Sequence, residues 1–186
     1  ANCAEFPETG YIPMEKEAWK NILQTYKDYG INMVRFHSHC PPEAAFFAAD
    51  EMGILMQPEL SHWDPKHAFE FDESFSYYQK ELRQIIKALA NHPSFVMLTF
   101  GNELHCGALG TSRMHKMLQD AKKQDPTRLY ANASNAHYGN EGCDEESDFY
   151  ASQSFYNYRI RGTLAGNPET TEEAAKVDAY EKANGK

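Results

Sequence analysis

At 186 residues, with 41% hydrophobic and 13% aromatic side chains, the chain has ordinary globular composition and can bury a substantial core, which excludes a disordered or fibrous protein. Its formal net charge of −9 argues against a phosphate-backbone partner, which needs clustered Lys and Arg to displace counterions. No apolar run approaches the roughly 20 residues that span a bilayer, so neither nucleic acid nor membrane is expected as a partner.

In chain order, residues 1–14 hold Pro7, Gly10 and Pro13 and read as a strand end followed by a loop. The chain starts in mid-element, without an initiator Met or a signal-like segment, so a longer natural chain is expected. Over 15–29, Trp19, Ile22, Leu23, Tyr26 and Tyr29 recur at helical spacing, with Gly30 placed to cap the end. Residues 31–38 read as a strand carrying Arg35 and His37, closed by Pro41-Pro42, with Pro42 suited to a first helical position. A short helix over 44–52 ends at Gly53, and 54–60 is the next strand, delivering Glu59 at its far end.

A longer connection with Trp63, Asp64 and Pro65 leads to a helix whose Tyr78, Leu82, Ile85, Ile86 and Leu89 form one face. Asn91-His92-Pro93 stops it, and the apolar run 94–100 reads as a buried parallel strand ending abruptly in Gly101-Asn102-Glu103. Thr111 or Ser112 is placed to cap a further helix that ends before Asp125-Pro126, and 129–134 is another strand. Beyond Asn135 the pattern weakens. An acidic stretch over 141–148 is followed by room for one more strand within 149–158 and a polar helical tail over 166–186, so the domain is read as 1–165.

Strands alternating with helices at this rhythm imply a parallel sheet, because each right-handed crossover returns the chain to the same sheet. No Gly-x-Gly-x-x-Gly follows any strand and no Walker loop is present, so the (β/α)8 TIM barrel leads the Rossmann-type sheet within the α/β class. A complete barrel takes about 250 residues, so the chain is expected to hold a partial one, from about strand one to strand six.

Active sites of parallel α/β folds lie at the carboxyl ends of the strands. Those ends offer Arg35, His37 and His39, then Glu59, His62 and Trp63, then Asn102, Glu103 and His105, then Asn132 and Asn135. Carboxylates, amides and aromatic faces together suit a polyhydroxylated ligand. Cys3, Cys40, Cys106 and Cys143 are widely separated, so neither a zinc knuckle nor a disulfide framework is read, and no cofactor motif is found. Cys40 and Cys106 read as small buried side chains, lacking a clear activating partner.

Two stretches, Gly30-Ile31-Asn32-Met33-Val34-Arg35-Phe36-His37-Ser38-His39-Cys40-Pro41 and Asn91-His92-Pro93-Ser94 through Gly101-Asn102-Glu103, resemble the barrel motifs of glycoside hydrolase family 2. Between them, the run from Asp50-Glu51-Met52-Gly53 to Pro58-Glu59 resembles the helix and third strand of that family, in the same order. The likeness covers about 19–132. It implies hydrolysis of O-glycosidic bonds by a retaining, exo-acting β-glycosidase, with the Asn-Glu of the fourth barrel strand supplying the general acid/base. Glu103 takes that role here, Asn102 binds the sugar 2-hydroxyl, Arg35 fixes the carboxylates, and His37, Glu59 and Trp63 are candidate substrate contacts.

The family's nucleophile is implied on a seventh strand, which this chain lacks, so the isolated chain is expected to be inactive. Glu141, in Gly139-Asn140-Glu141-Gly142, repeats the Asn-Glu pair with no apolar strand leading into it and reads as a solvated loop. The resemblance further implies β-sandwich domains elsewhere in the parent protein, a carbohydrate partner and, from that role, a periplasmic or secreted location. Two alternatives stand beside it. His37-x-His39 at a strand end has the spacing to bind a divalent metal in a metal-dependent barrel hydrolase. A rim without a nucleophile also fits a non-catalytic sugar-binding module.

Overall fold

The computed structural model describes residues 1–134, 146–149, 151, 154–155 and 158–159. Amphipathic helices and short apolar strands alternate through them. The order is α1 (Lys16–Asp28), β1 (Met33–Arg35), α2 (Glu43–Met52), β2 (Leu55–Gln57), α3 (Asp72–Leu89), β3 (Met97–Thr99), α4 (Ala108–Gln124), β4 (Leu129–Ala131), β5 (Ser154–Phe155) and β6 (Tyr158–Arg159).

The main pairings are parallel. Met33 lies opposite Leu55 and Arg35 opposite Gln57, and Met97 opposite Leu129 and Thr99 opposite Ala131. Single parallel bridges continue the array, from Asn2 to Phe36, Met56 to Phe95, Glu59 to Thr99, Asn102 to Ser134 and Ser134 to Ala151. The single strand expected within 149–158 divides. Ala151 bridges Ser134, while β5 and β6 pair with each other antiparallel as a small ribbon. The polar tail over 166–186, the Gly139–Gly142 stretch, Asn135 and Cys143 lie outside the described residues.

Helix ends follow local chemistry, with two departures from expectation. Gly53 takes the left-handed conformation (φ 69°) at the C-cap of α2, and Gly30 (φ 74°) follows the C-cap of α1. Pro42 stands at the N-cap of α2, one position earlier than expected, because its ψ of 155° is extended rather than helical. α4 starts at Ala108 after Gly107, ahead of Thr111 and Ser112. There the Glu70 carboxylate accepts from the Gly107 N–H, while the Thr111 hydroxyl turns back onto the Gly107 carbonyl at 3.1 Å. No side-chain cap is made within the helix's own sequence, and the bond from across the fold serves the amide of the N-cap residue itself.

Between helices and strands the core is continuous. Trp19 and Leu23 of α1, Phe46 of α2, Ile86 of α3 and Met117 of α4 are buried against Phe36, Met56, Phe95, Leu98, Phe100 and Tyr130. Trp19 meets Phe6 and Phe36 edge-on at ring separations of 6.1 and 6.0 Å, and its indole N–H donates to the Pro13 carbonyl at 2.8 Å. Burying such side chains stabilises by about 1.5–3 kcal/mol each. The partners of α1 and α3 are α2 and α4 respectively.

At the amino ends of the strands, Asp50 ties α2 to the turn before β3. Its carboxylate takes the Ser94 N–H at 2.9 Å and contacts the buried His92 ring nitrogen at 2.6 Å. Burial opposes the charge, but the bonds from Ser94 and His92 outweigh it, and the carboxyl lies below its ordinary value. A depressed carboxylate contributes stability above the unfolded-state pKa and loses it as pH falls through the folded one. Asp50→Asn is therefore expected to cost about 1–3 kcal/mol at neutral pH, a difference that shrinks below about pH 4; urea unfolding of both proteins across pH checks it.

Candidate active site

The carboxyl ends of the strands converge because the backbone there has little freedom. Gly101 (φ 144°) ends the β3 run, and a Cβ at this position would stand 2.2 Å from the His62 carbonyl oxygen, so only glycine lets the two segments approach. The Asn102 N–H donates to that same carbonyl at 3.1 Å, the Ser134 N–H to the Gly101 carbonyl at 2.9 Å, and the Glu103 N–H to the Ser134 carbonyl at 2.7 Å. Glu103 is held in the left-handed region at φ 52°, a conformation that costs a non-glycine residue roughly 1–2 kcal/mol. These three bonds hold the strained residue at the strand end.

Beneath the rim lies a buried ion pair. Glu59 is 0% exposed and takes Arg35 Nε at 2.6 Å and Nη2 at 3.1 Å. It also accepts from the Ser38 N–H at 2.8 Å and the Thr99 hydroxyl at 2.9 Å. An ionised carboxylate offers about four lone-pair sites, and those partners fill them. The same Arg35 Nη2 lies 2.6 Å from Asn102 Oδ1. A guanidinium only donates, so the amide of Asn102 must turn its oxygen to Arg35. Thr99 contacts Ser134 Oγ at 3.3 Å, and Gln57 donates to that oxygen at 3.4 Å, carrying the network under β4.

Around this floor the other rim residues separate by environment. Trp63 is 62% exposed and its indole N–H donates to Glu103 Oε2 at 3.1 Å. His37 is half-buried, with Nδ1 3.1 Å from the Ser38 hydroxyl. His39 donates from Nδ1 to the His37 carbonyl at 2.9 Å and packs edge-on against Phe36, and burial lowers its pKa. His62 is buried, stacks on Tyr78 at 4.1 Å, and is pushed down by burial to about 4, so it stays neutral at neutral pH. His105 is exposed and Asn132 is buried. Burial pushes the Cys40 thiol up to about 12, leaving no thiolate.

The structure therefore brings Arg35, Glu59, Asn102, Glu103 and Trp63 into one hydrogen-bonded chain with a single break, between Asn102 and Glu103, which the backbone spans. Glu59, grouped in the sequence with the exposed candidates, lies beneath them. Thr99, Ser134, Gln57 and the Ser38 amide join the network without having been singled out; a hydroxyl inside an apolar strand was the available signal for Thr99. Among the described residues, no group of three His, Cys, Asp or Glu side chains gathers around His37 and His39 in a form that holds a metal.

The family model for the TIM barrel domain of glycosyl hydrolases family 2 matches residues 13–177. The chain belongs to that family. A putative β-glucuronidase of Formosa agariphila is 32% identical to it, over 62% of this chain and 11% of the relative. Among solved structures it resembles the Parabacteroides merdae β-glucuronidase (22% identity, TM-score 0.62, 74% of this chain and 18% of that one). It also resembles a family 2 β-galacturonidase from Eisenbergiella tayi bound to galacturonate (22%, 0.66, 80% and 27%) and a Bacteroides uniformis β-glucuronidase (19%, 0.63, 81% and 20%). These likenesses establish a shared fold, and the chain spans only a minor share of each relative's length.

Removing one partner of a buried ion pair leaves the other charge uncompensated, at a cost of about 3–5 kcal/mol. Glu59→Gln is accordingly expected to destabilise the fold by that amount, read as a lowered unfolding midpoint in urea.

Proposed function

We propose that this chain supplies the acid/base side of the active site of a retaining, exo-acting β-glycosidase, with Glu103 as the general acid/base. The observation that carries the reading is the strand-end pair: Glu103 held at φ 52° beside Asn102, whose carbonyl is turned to the half-buried Arg35. Counting the Asn2 position as the first strand and Ala151 as the sixth, β3 occupies the fourth, and the parallel array is read as strands one to six of the barrel.

In the first half of the reaction, protonated Glu103 gives its proton to the glycosidic oxygen as the bond to the anomeric carbon breaks. The ionised side chain then accepts a proton from the water that releases the sugar. Asn102, its oxygen held by Arg35, is given the sugar 2-hydroxyl, a contact that strengthens as oxocarbenium character develops. Arg35 is given the task of holding Asn102, and Glu59 of holding Arg35. His37 and the exposed indole face of Trp63 remain as substrate contacts. The attacking carboxylate, about 5–5.5 Å from the acid in a retaining enzyme, is assigned by the family likeness to a seventh strand, so the chain alone is expected to leave glycosides intact. The activities named for the relatives make β-uronides the first substrates to try.

Glu103→Gln in the full-length protein is expected to lower kcat/KM for alkyl glycosides by about 10²–10⁴-fold while affecting dinitrophenyl glycosides far less, since a good leaving group needs little protonation. Equal activity on the alkyl glycoside would remove Glu103 from the role.

A further inference from the structure

Resting on the assignment of Glu103 as the acid, we infer that Trp63 is a positioning residue that decides which oxygen of Glu103 carries the transferable proton. The indole nitrogen carries a hydrogen and no available lone pair, so it only donates. Glu103 Oε2, 3.1 Å from it, is therefore always the accepting oxygen. In the protonated acid the carbonyl oxygen is the better acceptor, so this bond favours the tautomer with the proton on Oε1. A carboxyl without such a partner distributes the proton over both oxygens and rotates, and only part of that population aims it at the leaving group.

The contact also strengthens during the reaction. The proton passes from Oε1 to the glycosidic oxygen as the bond from that oxygen to the anomeric carbon breaks. The bonding electrons leave with the oxygen, which departs as the neutral alcohol, while the attacking carboxylate closes the new bond at carbon. Glu103 is left ionised, and a hydrogen bond from N–H to a carboxylate is stronger than one to a neutral acid. An interaction that grows along the reaction coordinate accelerates it, whereas one equal at both ends does not.

Trp63 is placed for this by its loop rather than by burial. The His105 N–H donates to the Asp64 carbonyl at 2.9 Å and the Ala68 N–H to the His105 carbonyl at 3.0 Å. From α4, Arg113 reaches the Phe69 and Glu70 carbonyls at 2.9 and 3.0 Å, with its guanidinium 4.7 Å from the Phe75 ring centroid, and it pairs with Asp72. Residues that follow Glu103 in the chain thus hold the loop that holds its carboxyl.

The test is Trp63→Phe in the full-length protein, which keeps an aromatic face and deletes the N–H. Two β-glycosides of the same sugar are compared by kcat/KM, which reports the bond-breaking half: a methyl glycoside and a dinitrophenyl glycoside. The methyl glycoside is expected to lose about tenfold more than the dinitrophenyl glycoside, the equivalent of one hydrogen bond to a charged group, since any lost sugar contact is common to both substrates. Equal losses on both substrates would show a sugar platform or a structural role and overturn the inference, as would an unchanged rate on the methyl glycoside. If Glu103→Gln shows the leaving-group split and Trp63→Phe does not, the acid stands and only this inference falls.

Discussion

The floor of the site depends on one buried ion pair. Arg35 ends β1, Glu59 follows β2, and neither would be tolerated beneath a rim of strand ends without the other. Their geometry is close to fully satisfied: Glu59 fills its acceptor sites from β1, from the turn after it and from β3, and Arg35 carries the leftover positive field to Asn102. A pair of this kind contributes little net stability compared with an apolar substitute, so its presence is best understood through what it orients. It converts three separate strand ends into one surface of defined polarity.

Above that floor the chain accepts local strain. Gly101 exists because the His62 carbonyl comes closer than any side chain allows, and Glu103 is bent into a conformation its side chain disfavours. Both are held by hydrogen bonds to neighbouring strand ends rather than by their own element. His62, neutral and stacked on Tyr78, is part of this support: its carbonyl receives Asn102, while its ring fills the space behind it.

The α/β alternation was legible in the sequence because helix spacing, Gly caps and short apolar runs agree with one another. Arg35, Asn102 and Glu103 were legible because strand-end position alone singles out polar residues there, and the family likeness then suggested roles. The depth of each was not legible. Glu59 and Trp63 both lie in the connection after β2, yet one is 0% and the other 62% exposed, and the partner that holds Glu59 inward, Arg35, sits on a neighbouring strand. α4 starts ahead of Thr111 for a related reason: Glu70, distant in sequence, holds the Gly107 amide, and Thr111 turns back onto the Gly107 carbonyl instead of capping. The antiparallel ribbon of β5 and β6 left no periodicity long enough to read.

The backbone bonds between Asp64, Ala68 and His105 make the loops after β2 and β3 a single piece. Barrel enzymes usually diversify by altering strand-end loops one at a time, each a free appendage on a fixed frame. Here an insertion in one loop breaks the register of the other and displaces the strand-end carboxyl with it. Variation at these strand ends is therefore confined to side-chain replacement within a loop of constant length, or to concerted change in both.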